Sequence, residues 1–342
     1  MQNQITEGSI LKPLLSFFFP ILLGTFFQQL YNTVDAIIVG NFVGTAALGA
    51  VGGPTAVIIN FLVNLFVGLS SGATVVIAQY YGARQGEELR EAVHTGIALA
   101  LAAGVAVMAL GLLLARPVLT LMGTPADIMG YALTYLRVYF CGSIASFIYN
   151  MGASILRAIG DTRAALCFLL ASLAYNLAAA WLLVARLELG IRGTALATAS
   201  AQLLSALLCL VYIRKKLPFL RIQRDDMRMN GTLVRQTTSY AAVAALQQSS
   251  LYLGKLMIQS AVNGLGTAAI SAFTATTRVE NFSQAFGISG CESIAIFVAQ
   301  NQGAKKHRRA LDGFRNGAVM VVGIGVVFSL LLTFGGHTLV TP

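Results

Sequence analysis

Charged side chains are scarce in this sequence. Asp, Glu, Lys and Arg together make up 11% of its 342 residues, whereas hydrophobic residues make up 56%. A soluble globular domain usually carries about 25% charged residues. The mean hydropathy is +0.74. The shortage of charge excludes an ordinary soluble domain and predicts an integral membrane protein.

The sequence also lacks the residue patterns of common enzymes and metal sites. No HExxH pattern occurs, and the only Gly-Lys pair, at 254–255, lacks the glycine-rich approach of a phosphate-binding loop. The four cysteines show neither paired nor metal-ligand spacing: Cys141, Cys167, Cys209 and Cys291. We therefore predict a protein that is not an enzyme and has no cofactor. An intramembrane hydrolase is the alternative of a different class, and it would need converging acids such as Glu280 and Glu292.

Long hydrophobic runs recur along the chain. Most reach the roughly 20 residues that a membrane-spanning helix needs. The runs lie at about 13–38, 51–80, 93–115, 129–156, 164–185, 193–213, 237–262, 268–300 and 316–336. The alternating ten-residue segments of a membrane β-barrel are missing. The predicted fold class is an all-α membrane bundle with nine transmembrane helices, whose polar N-terminus is not a cleaved signal peptide.

The positions of the basic residues argue against a nucleic-acid partner. Of 23 Lys and Arg residues, seventeen fall in alternate loops or at the adjoining helix ends, and only Arg116, Arg186 and Arg192 fall on the other side. Cytoplasmic loops of membrane proteins carry such an excess. We predict a plasma-membrane protein whose N-terminus and loops near 84, 160, 225 and 307 are cytoplasmic. The basic loop 214–236 is then an orientation signal and linker, with contact to anionic lipid as the alternative.

Two sequence motifs are repeated at a nearly constant distance. GTAALGA at 44–50 returns as GTAAISA at 266–272, and AQYYGAR at 78–84 returns as AQNQGAK at 299–305. The offsets are 222 and 221 residues. Six predicted helices separate the copies, so both copies face the same way across the membrane. The pattern predicts a duplication whose halves are related by an axis along the membrane normal.

Five stretches resemble the multidrug and toxic compound extrusion (MATE) transporters. They are PILLGTFFQQLYNTVDAIIVGNFVG, GLSSGATVVIAQYYGAR, GASILRAIGDTR, LGIRGTALATASAQ and FVAQNQGAKK, and they span nearly the whole chain. The resemblance implies two six-helix lobes arranged as a V around a central cavity. It also implies extrusion of organic cations, drugs or other amphiphiles by alternating access, driven by inward flow of H⁺ or Na⁺. The implied partners are a small-molecule substrate and membrane lipid, and a monomer is expected.

The resemblance and the repeat together predict the domains. Residues 1–213 form an N-terminal six-helix lobe, 214–236 a cytoplasmic inter-lobe loop, and 237–342 three helices of an incomplete C-terminal lobe. The repeat predicts a counterpart of residues 126–214 that does not follow here. We therefore expect a truncated gene or an incomplete sequence of a twelve-helix protein, and a working nine-helix transporter is the alternative.

Asp35 is a carboxylate within an otherwise apolar predicted span. Gln28, Asn32 and Asp35 are spaced i, i+4 and i+7, so they share a helix face that must be turned away from lipid. A carboxylate in a low-dielectric site can exchange protons near neutral pH or bind Na⁺. We predict that Asp35 couples transport to the ion, and the resemblance implies the same. The alternative is that Asp35 only forms a hydrogen bond between helices.

The fifth predicted helix departs from the family pattern. The family often carries Asn and Asp four residues apart, and this chain supplies Asn176 but has Ala180 at the acidic position. This weakens a two-carboxylate proton site. The predicted ion-coupling set is therefore Asp35 with Gln28, Asn32 and Asn176 as neutral partners, and no metal site is expected beyond a possible Na⁺ at Asp35.

Several other polar residues within predicted helices are candidates for the substrate cavity. Asn60 and Asn64 share a helix face, as do Glu280 and Gln284. The candidates are Asn60, Asn64, Asn150, Gln248, Glu280, Gln284 and Glu292. Each could instead hold helices together, and Lys255 and Arg278 could pair with Glu280. A lipid-linked oligosaccharide flippase of related fold is the closer alternative function, but only three basic residues lie within helices: Arg137, Lys255 and Arg278.

Overall fold

The chain folds as a bundle of long helices. A computed structural model describes the backbone of residues 5–52, 54–220, 230–263 and 267–340, and the side chains of most of these residues. The helices are α1 (Leu11–Phe42), α2 (Thr45–Gly52), α3 (Pro54–Gly82), α4 (Gly86–Leu121), α5 (Ala126–Ala158), α6 (Thr162–Ala180), α7 (Gly190–Lys216), α8 (Gly231–Asn263), α9 (Thr267–Gly303) and α10 (His307–Val340). A π-helical turn, Trp181–Arg186, continues α6, and a short 3₁₀ turn, Pro218–Leu220, follows α7. No strand occurs in these ranges.

The predicted all-α membrane fold is confirmed. Each of the nine hydrophobic runs coincides with one long helix, and α2 is an additional short helix that the hydrophobic runs did not predict. Within the described ranges, six helices are long and apolar enough to cross a membrane: α1, α4, α5, α6 with its π-helical turn, α7 and α10. The chain is therefore a multi-pass membrane protein.

Close helix packing in the bundle depends on small residues. A Cβ added to Gly104 of α4 would lie 2.9 Å from the Cα of Ile144 in α5, and one added to Gly111 would lie 2.5 Å from the ring of Phe140. On α3, a Cβ on Gly72 would overlap the backbone of Thr237 in α8. Helices in membranes gain their packing energy from such close backbone approach. The small-residue spacing of Gly68 and Gly72 therefore marks the contact between α3 and α8.

The turn between α5 and α6 is fixed by its own residues. Gly160 has a φ of +97°, a backbone conformation that favours glycine. The side chain of Asp161 then caps α6, because its Oδ1 accepts a hydrogen bond from the Ala164 N–H at 3.2 Å. The Tyr212 hydroxyl of α7 donates to Asp161 Oδ2 at 2.7 Å. Asp161 therefore both starts α6 and ties it to α7.

The helices form two groups with a reciprocal interface. We call α1–α7 the first helix group and α8–α10 the second helix group. Within the first group, α5 packs on α3, α4 and α7, while in the second group α10 packs on α9. Between the groups, α1 packs on α9, α8 packs on α3, and α3 packs on α9. The first helix of each group thus packs on the opposite group, as expected when two copies are related by a two-fold axis.

The repeat is visible in the backbone where α3 and α9 end. Arg84 has a φ of 59° and Lys305 a φ of 57°, and positive φ values are uncommon for residues other than glycine. These two residues are 221 positions apart, which is the offset of the repeated motif. We call the end of the bundle that carries this pair of turns, the Gly160 turn and the start of α1 the basic end.

Candidate functional site

A polar contact line joins α6 and α7 inside the first helix group. The Ser172 hydroxyl donates to the Ala201 carbonyl at 2.9 Å, and Asn176 Nδ2 donates to Thr198 Oγ1 at 3.4 Å. Ser172 and Asn176 lie one turn apart on α6, so they face α7 together. Both are buried, at 6% and 2% exposure. This places the predicted residue Asn176 in a buried polar environment.

Two oxygens on this line have no hydrogen-bond partner among the described residues. They are Asn176 Oδ1 and the hydroxyl oxygen of Thr194, which lies one turn before Thr198 on α7. A buried polar atom left unpaired costs about 1–3 kcal/mol. A bound cation or a protonated carboxyl group would offset that cost, and amide and hydroxyl oxygens are ligands that a hard cation such as Na⁺ accepts.

The contribution of Thr194 and Thr198 was not predicted. Both lie within the stretch GIRGTALATASAQ and are spaced i, i+4, so the sequence already placed them on one face of α7. Hydroxyl residues on membrane helices commonly serve packing, so only the contact with Asn176 distinguishes them.

Helix α1, which carries the predicted ion-coupling residues, packs against this part of the first group. It contacts α6, α7 and the π-helical turn, and a Cβ on Gly24 would lie 3.4 Å from Leu169 of α6. Gln28, one turn further along α1, is half-buried. The side chains of Asp35 and Asn32 lie outside the described residues, as do those of Asn60, Asn64, Gln248, Lys255 and Arg278.

Ala180 is fully buried beyond Asn176 on α6. The position where the family often has an acid is therefore filled by a packed methyl group. Among the described side chains of α6, the buried polar ones nearest this position come from Asn176 and Ser172.

Two cavity candidates on α9 contact each other. Gln284 Nε2 donates to Glu280 Oε1 at 2.6 Å, which follows from their i, i+4 spacing. Glu280 is exposed and Gln284 is half-buried. Their role as substrate contacts stays a prediction.

Glu292 is paired across the two helix groups. Its Oε1 lies 2.9 Å from Nε of Arg157 in α5, and each side chain is between a quarter and a third exposed. The Nε hydrogen is not aligned with the carboxylate, so the contact is an ion pair without a linear hydrogen bond. Arg157 also donates to Ser154 at 3.2 Å. Contact between Glu292 and substrate stays a prediction, and such contact would compete with Arg157.

Asn150 has a local partner. Its Nδ2 donates to the Ser146 carbonyl of the same helix at 2.8 Å, and its side chain is half-buried. The hydrogen bond occupies one of its amide protons, so Asn150 retains a carbonyl oxygen for other contacts.

The two groups meet at the basic end in a symmetric contact, which we call the seam. The seam is formed by residues 79–82 of α3 and residues 300–303 of α9. A Cβ on Gly82 would overlap the Gln300 backbone, with 2.6 Å to its carbonyl carbon, and a Cβ on Gly303 would lie 2.6 Å from the Gln79 carbonyl carbon. Gly82 and Gly303 are 221 positions apart, as are Gln79 and Gln300, so each contact is the repeat equivalent of the other.

Gln300 strengthens the seam. Its side chain is fully buried, and its Nε2 donates to the Ala158 carbonyl at the end of α5 with a length of 2.6 Å. With Arg157 and Glu292 nearby, the end of α5 is therefore held to α9 by one hydrogen bond and one ion pair. Among the described residues, no group of three or more His, Cys, Asp or Glu side chains is arranged to hold a metal ion.

Comparison with known proteins identifies the family. The MatE family model matches residues 20–182 and 244–341. "Probable multidrug resistance protein YoeA" of Bacillus subtilis (strain 168) is 27% identical over 343 residues, covering 98% of this chain and 74% of that protein. "Multidrug export protein MepA" of Staphylococcus aureus (strain NCTC 8325 / PS 47) is 22% identical over 337 residues, covering 97% and 73%.

Solved structures share the fold. One is described as the "Outward-facing conformation of a multidrug resistance MATE family transporter of the MOP superfamily". It matches with a TM-score of 0.87 and 21% identity, covering 97% of this chain and 73% of that one. The fold, the family match over two ranges and the relatives agree with the resemblance seen in the sequence. The chain belongs to the MatE (MATE) family and is a multi-pass membrane efflux transporter rather than an enzyme.

Proposed function

We propose that the protein exports organic cations, drugs or amphiphilic metabolites across the plasma membrane in exchange for H⁺ or Na⁺. The names of the relatives, a multidrug resistance protein and a multidrug export protein, support this substrate class. No cofactor is needed beyond the coupling ion, and the remaining partners are membrane lipid and the substrate. The protein acts as a monomer.

The observation that carries the proposal is the pair of unpaired, buried oxygens on α6 and α7. Asn176 Oδ1 and the Thr194 hydroxyl supply neutral ligands, and α1, which carries Asp35, packs on both helices. In the proposed site Asp35 supplies the negative charge that neutral oxygens lack, with Gln28 and Asn32 on the same face of α1. Binding of H⁺ or Na⁺ would satisfy the unpaired oxygens and neutralise the carboxylate.

The seam supports an alternating-access mechanism. Inter-group contacts at the basic end include the reciprocal glycine contacts, the Gln300 hydrogen bond and the Arg157–Glu292 ion pair. If the basic end is cytoplasmic, as the charge asymmetry predicts, these contacts close the cavity toward the cytoplasm. Opening toward the cytoplasm then requires the α3–α9 contact to separate.

The test is gradient-driven export by the purified protein, reconstituted into proteoliposomes. Uphill movement of a cationic dye should follow an imposed H⁺ or Na⁺ gradient and cease when that gradient is collapsed. Unchanged dye distribution across a broad panel of amphiphiles, for a well-inserted protein, would refute the proposal and favour the flippase alternative.

Asp35→Asn tests the coupling residue within the same assay. The amide keeps the shape of the side chain but cannot lose a proton or supply a full negative charge to Na⁺. Uphill export should therefore collapse while insertion persists. Asp127→Asn is the matched control, since Asp127 is an exposed carboxylate in the first turn of α5. Restoring an acid with Ala180→Asp should not fully rescue Asp35→Asn, because the new carboxylate lies on a different helix. Parental uphill export by Asp35→Asn would shift the assignment to Glu280 and Glu292.

A further inference from the structure

The polypeptide before α1 is bound to the second helix group through its own backbone. We call residues 5–9 the N-terminal strap. Arg309 in the first turn of α10 lies within hydrogen-bond distance of four strap carbonyls. Its Nε and Nη2 point to Ile5 at 3.3 and 3.0 Å, and its Nη1 to Gly8 at 2.8 Å. Nη2 also contacts Glu7 and Ser9 at 3.1 and 3.3 Å, so its two hydrogens are shared among three carbonyls. One guanidinium thus holds four carbonyls of the strap.

The hydrophobic side of the strap is wedged between the two groups. Ile5 is 8% exposed, and its Cδ1 lies 3.4 Å from where a Cβ on Gly160 would be, so it reaches the α5–α6 turn of the first group. Ile5 also belongs to a buried cluster with residues from α1 and α9. The other members of that cluster are Leu14, Phe17, Ile21, Ile294, Ile296 and Phe297. The strap therefore contacts both sides of the interface at the basic end.

The remaining polar contacts of the strap also reach loops of both groups. Lys306 Nζ donates to the Thr6 carbonyl at 2.8 Å. The Glu7 carboxylate lies 3.9 Å from Arg84 of the first group and 4.0 Å from Lys306 of the second. The Glu7 side chain is 71% exposed, and such exposed ion pairs contribute little. The carbonyl contacts of Arg309 and Lys306 therefore dominate the binding of the strap.

We propose that the N-terminal strap is a latch that keeps the basic end closed, and that Arg309 is the residue that positions it. The strap is continuous with α1 of the first group but is fastened to α10 of the second. Any movement that separates the groups at the basic end must break the Arg309 contacts or pull the strap off the first group. This inference rests on the alternating-access mechanism proposed above, and it adds the element that holds the closed state.

Arginine is specifically suited to this position. A guanidinium has five N–H donors in a fixed planar arrangement, whereas a lysine ammonium has three donors around a point. The Arg309 guanidinium also lies 5.5 Å from the ring centroid of Phe297, a member of the buried cluster under the strap. Arg309→Lys therefore keeps the charge but cannot serve all four carbonyls.

The test measures the distance between the groups at the basic end. Spin labels are placed at Glu87→Cys and Arg308→Cys, which are exposed, lie in the first turns of α4 and α10, and are related by the 221-residue repeat. The four native cysteines are replaced by alanine, and the protein is reconstituted in nanodiscs. Double electron–electron resonance then gives the distance distribution.

In the parental protein we expect a short distance to predominate. Arg309→Ala should raise the ratio of the longer to the shorter population by about tenfold or more, since hydrogen bonds from a charged donor are lost. Arg309→Lys should raise the same ratio by a smaller factor. If Arg309→Ala does not insert into the membrane, Arg309→Lys becomes the deciding variant.

Two controls separate the latch from general effects of charge. Arg315→Ala removes an exposed arginine about two turns further along α10, and Glu7→Gln removes the exposed ion contacts of the strap while keeping its backbone. Both should leave the distribution at its parental form. A parental distribution in the deciding Arg309 variant, or an equal shift in Arg315→Ala, would overturn the latch. Failure of the transport proposal is separate, because it would appear as absent gradient-driven export in the parental protein whatever the distances.

Discussion

Replacing Gly82 by alanine tests the seam with a single methyl group. In the structure this Cβ would lie 2.6 Å from the carbonyl carbon and 2.7 Å from the Cα of Gln300. Carbon atoms in favourable contact lie about 3.5–4.0 Å apart. The obstacle is backbone rather than a flexible side chain, so α3 and α9 would have to separate locally by roughly 1 Å.

The expected magnitude follows from that overlap. Inserting a methyl group into a packed interface costs about 1–3 kcal/mol. The cost falls on the closed seam alone, because a separated α3 and α9 leave room for the methyl group. The ratio of closed to open seam should therefore fall by about 5- to 150-fold. Gly303→Ala should act similarly, because its Cβ meets Gln79 in the reciprocal position.

The assay is the same distance measurement between labels at positions 87 and 308. Gly86→Ala is the matched control, since Gly86 lies four residues away at the same end of the bundle and a Cβ there meets no atom within 4 Å. The double variant Gly82→Ala/Gly303→Ala should shift the population by less than the sum of the single variants, because one separation relieves both overlaps.

A second readout distinguishes an opened seam from general damage. If the seam opens, the long-distance population rises and the protein remains well inserted, with export slowed because closure toward the cytoplasm is disfavoured. If Gly82→Ala shows the parental distances together with the parental Tm, the close α3–α9 contact does not control the basic end. That result would refute the reasoning from the seam to alternating access.

Two further predictions concern the candidate site and the topology. Thr198→Val keeps the volume of the side chain but removes the hydroxyl that contacts Asn176. The concentration of coupling ion that gives half-maximal export should therefore rise by roughly fivefold or more, as for one lost hydrogen bond. The control is Ser200→Ala, because the Ser200 hydroxyl donates to the Ala197 carbonyl of its own helix, and equal ion dependence in both variants would contradict the site. A single cysteine introduced at Asn230 in the 214–236 loop should not react with a membrane-impermeant thiol reagent in intact cells but should react after permeabilisation. The reason is that seventeen basic residues on the side of this loop, against three on the other side, place the loop in the cytoplasm. Efficient labelling from outside would reverse the predicted orientation and the direction of transport.

The long helices were predictable because each depends on a pattern that local sequence carries. Helix boundaries still differ: the run at 237–262 corresponds to α8 at Gly231–Asn263, since a helix continues beyond its apolar stretch into polar residues. The short helix α2 was missed because its eight residues are too few to span a membrane and its motif GTAALGA was read only as part of the repeat. Gly44, with a φ of +110°, separates it from α1.

The candidate site was predictable only in part. Asn176 was predicted from the family resemblance, whereas the contact with Thr198 depends on how α6 and α7 cross, which no local spacing specifies. The ion pair of Glu292 with Arg157 was not predicted either. Arg157 is 135 positions away in the sequence and was counted only as one of the basic residues that indicate the cytoplasmic side. The contacts of Arg309 are to backbone carbonyls, which every residue has, so the strap leaves no signature in side-chain patterns.

The repeat offset was the most useful sequence observation for the interface. It predicted that residues 82 and 303 are equivalent, and the structure places Gly82 against Gln300 and Gly303 against Gln79, the repeat equivalent of Gln300. The offset could not predict that α1 and α8 pack on the opposite groups, because a duplication is compatible with either arrangement of the first helix in each copy.

The exchanged packing of α1 has a consequence for biosynthesis. Leu14 and Phe17 of α1 share a buried cluster with Ile294 and Phe297 of α9, about 280 residues later in the chain. At about 5–20 residues per second, the ribosome needs roughly 14–56 s to supply that partner. Once α6 and α7 have been synthesised, α1 can pack against them, but its contact surface for α9 still faces lipid or insertion machinery. The nascent protein therefore passes through a stage in which α1 is already in the membrane but α9 has not yet been synthesised.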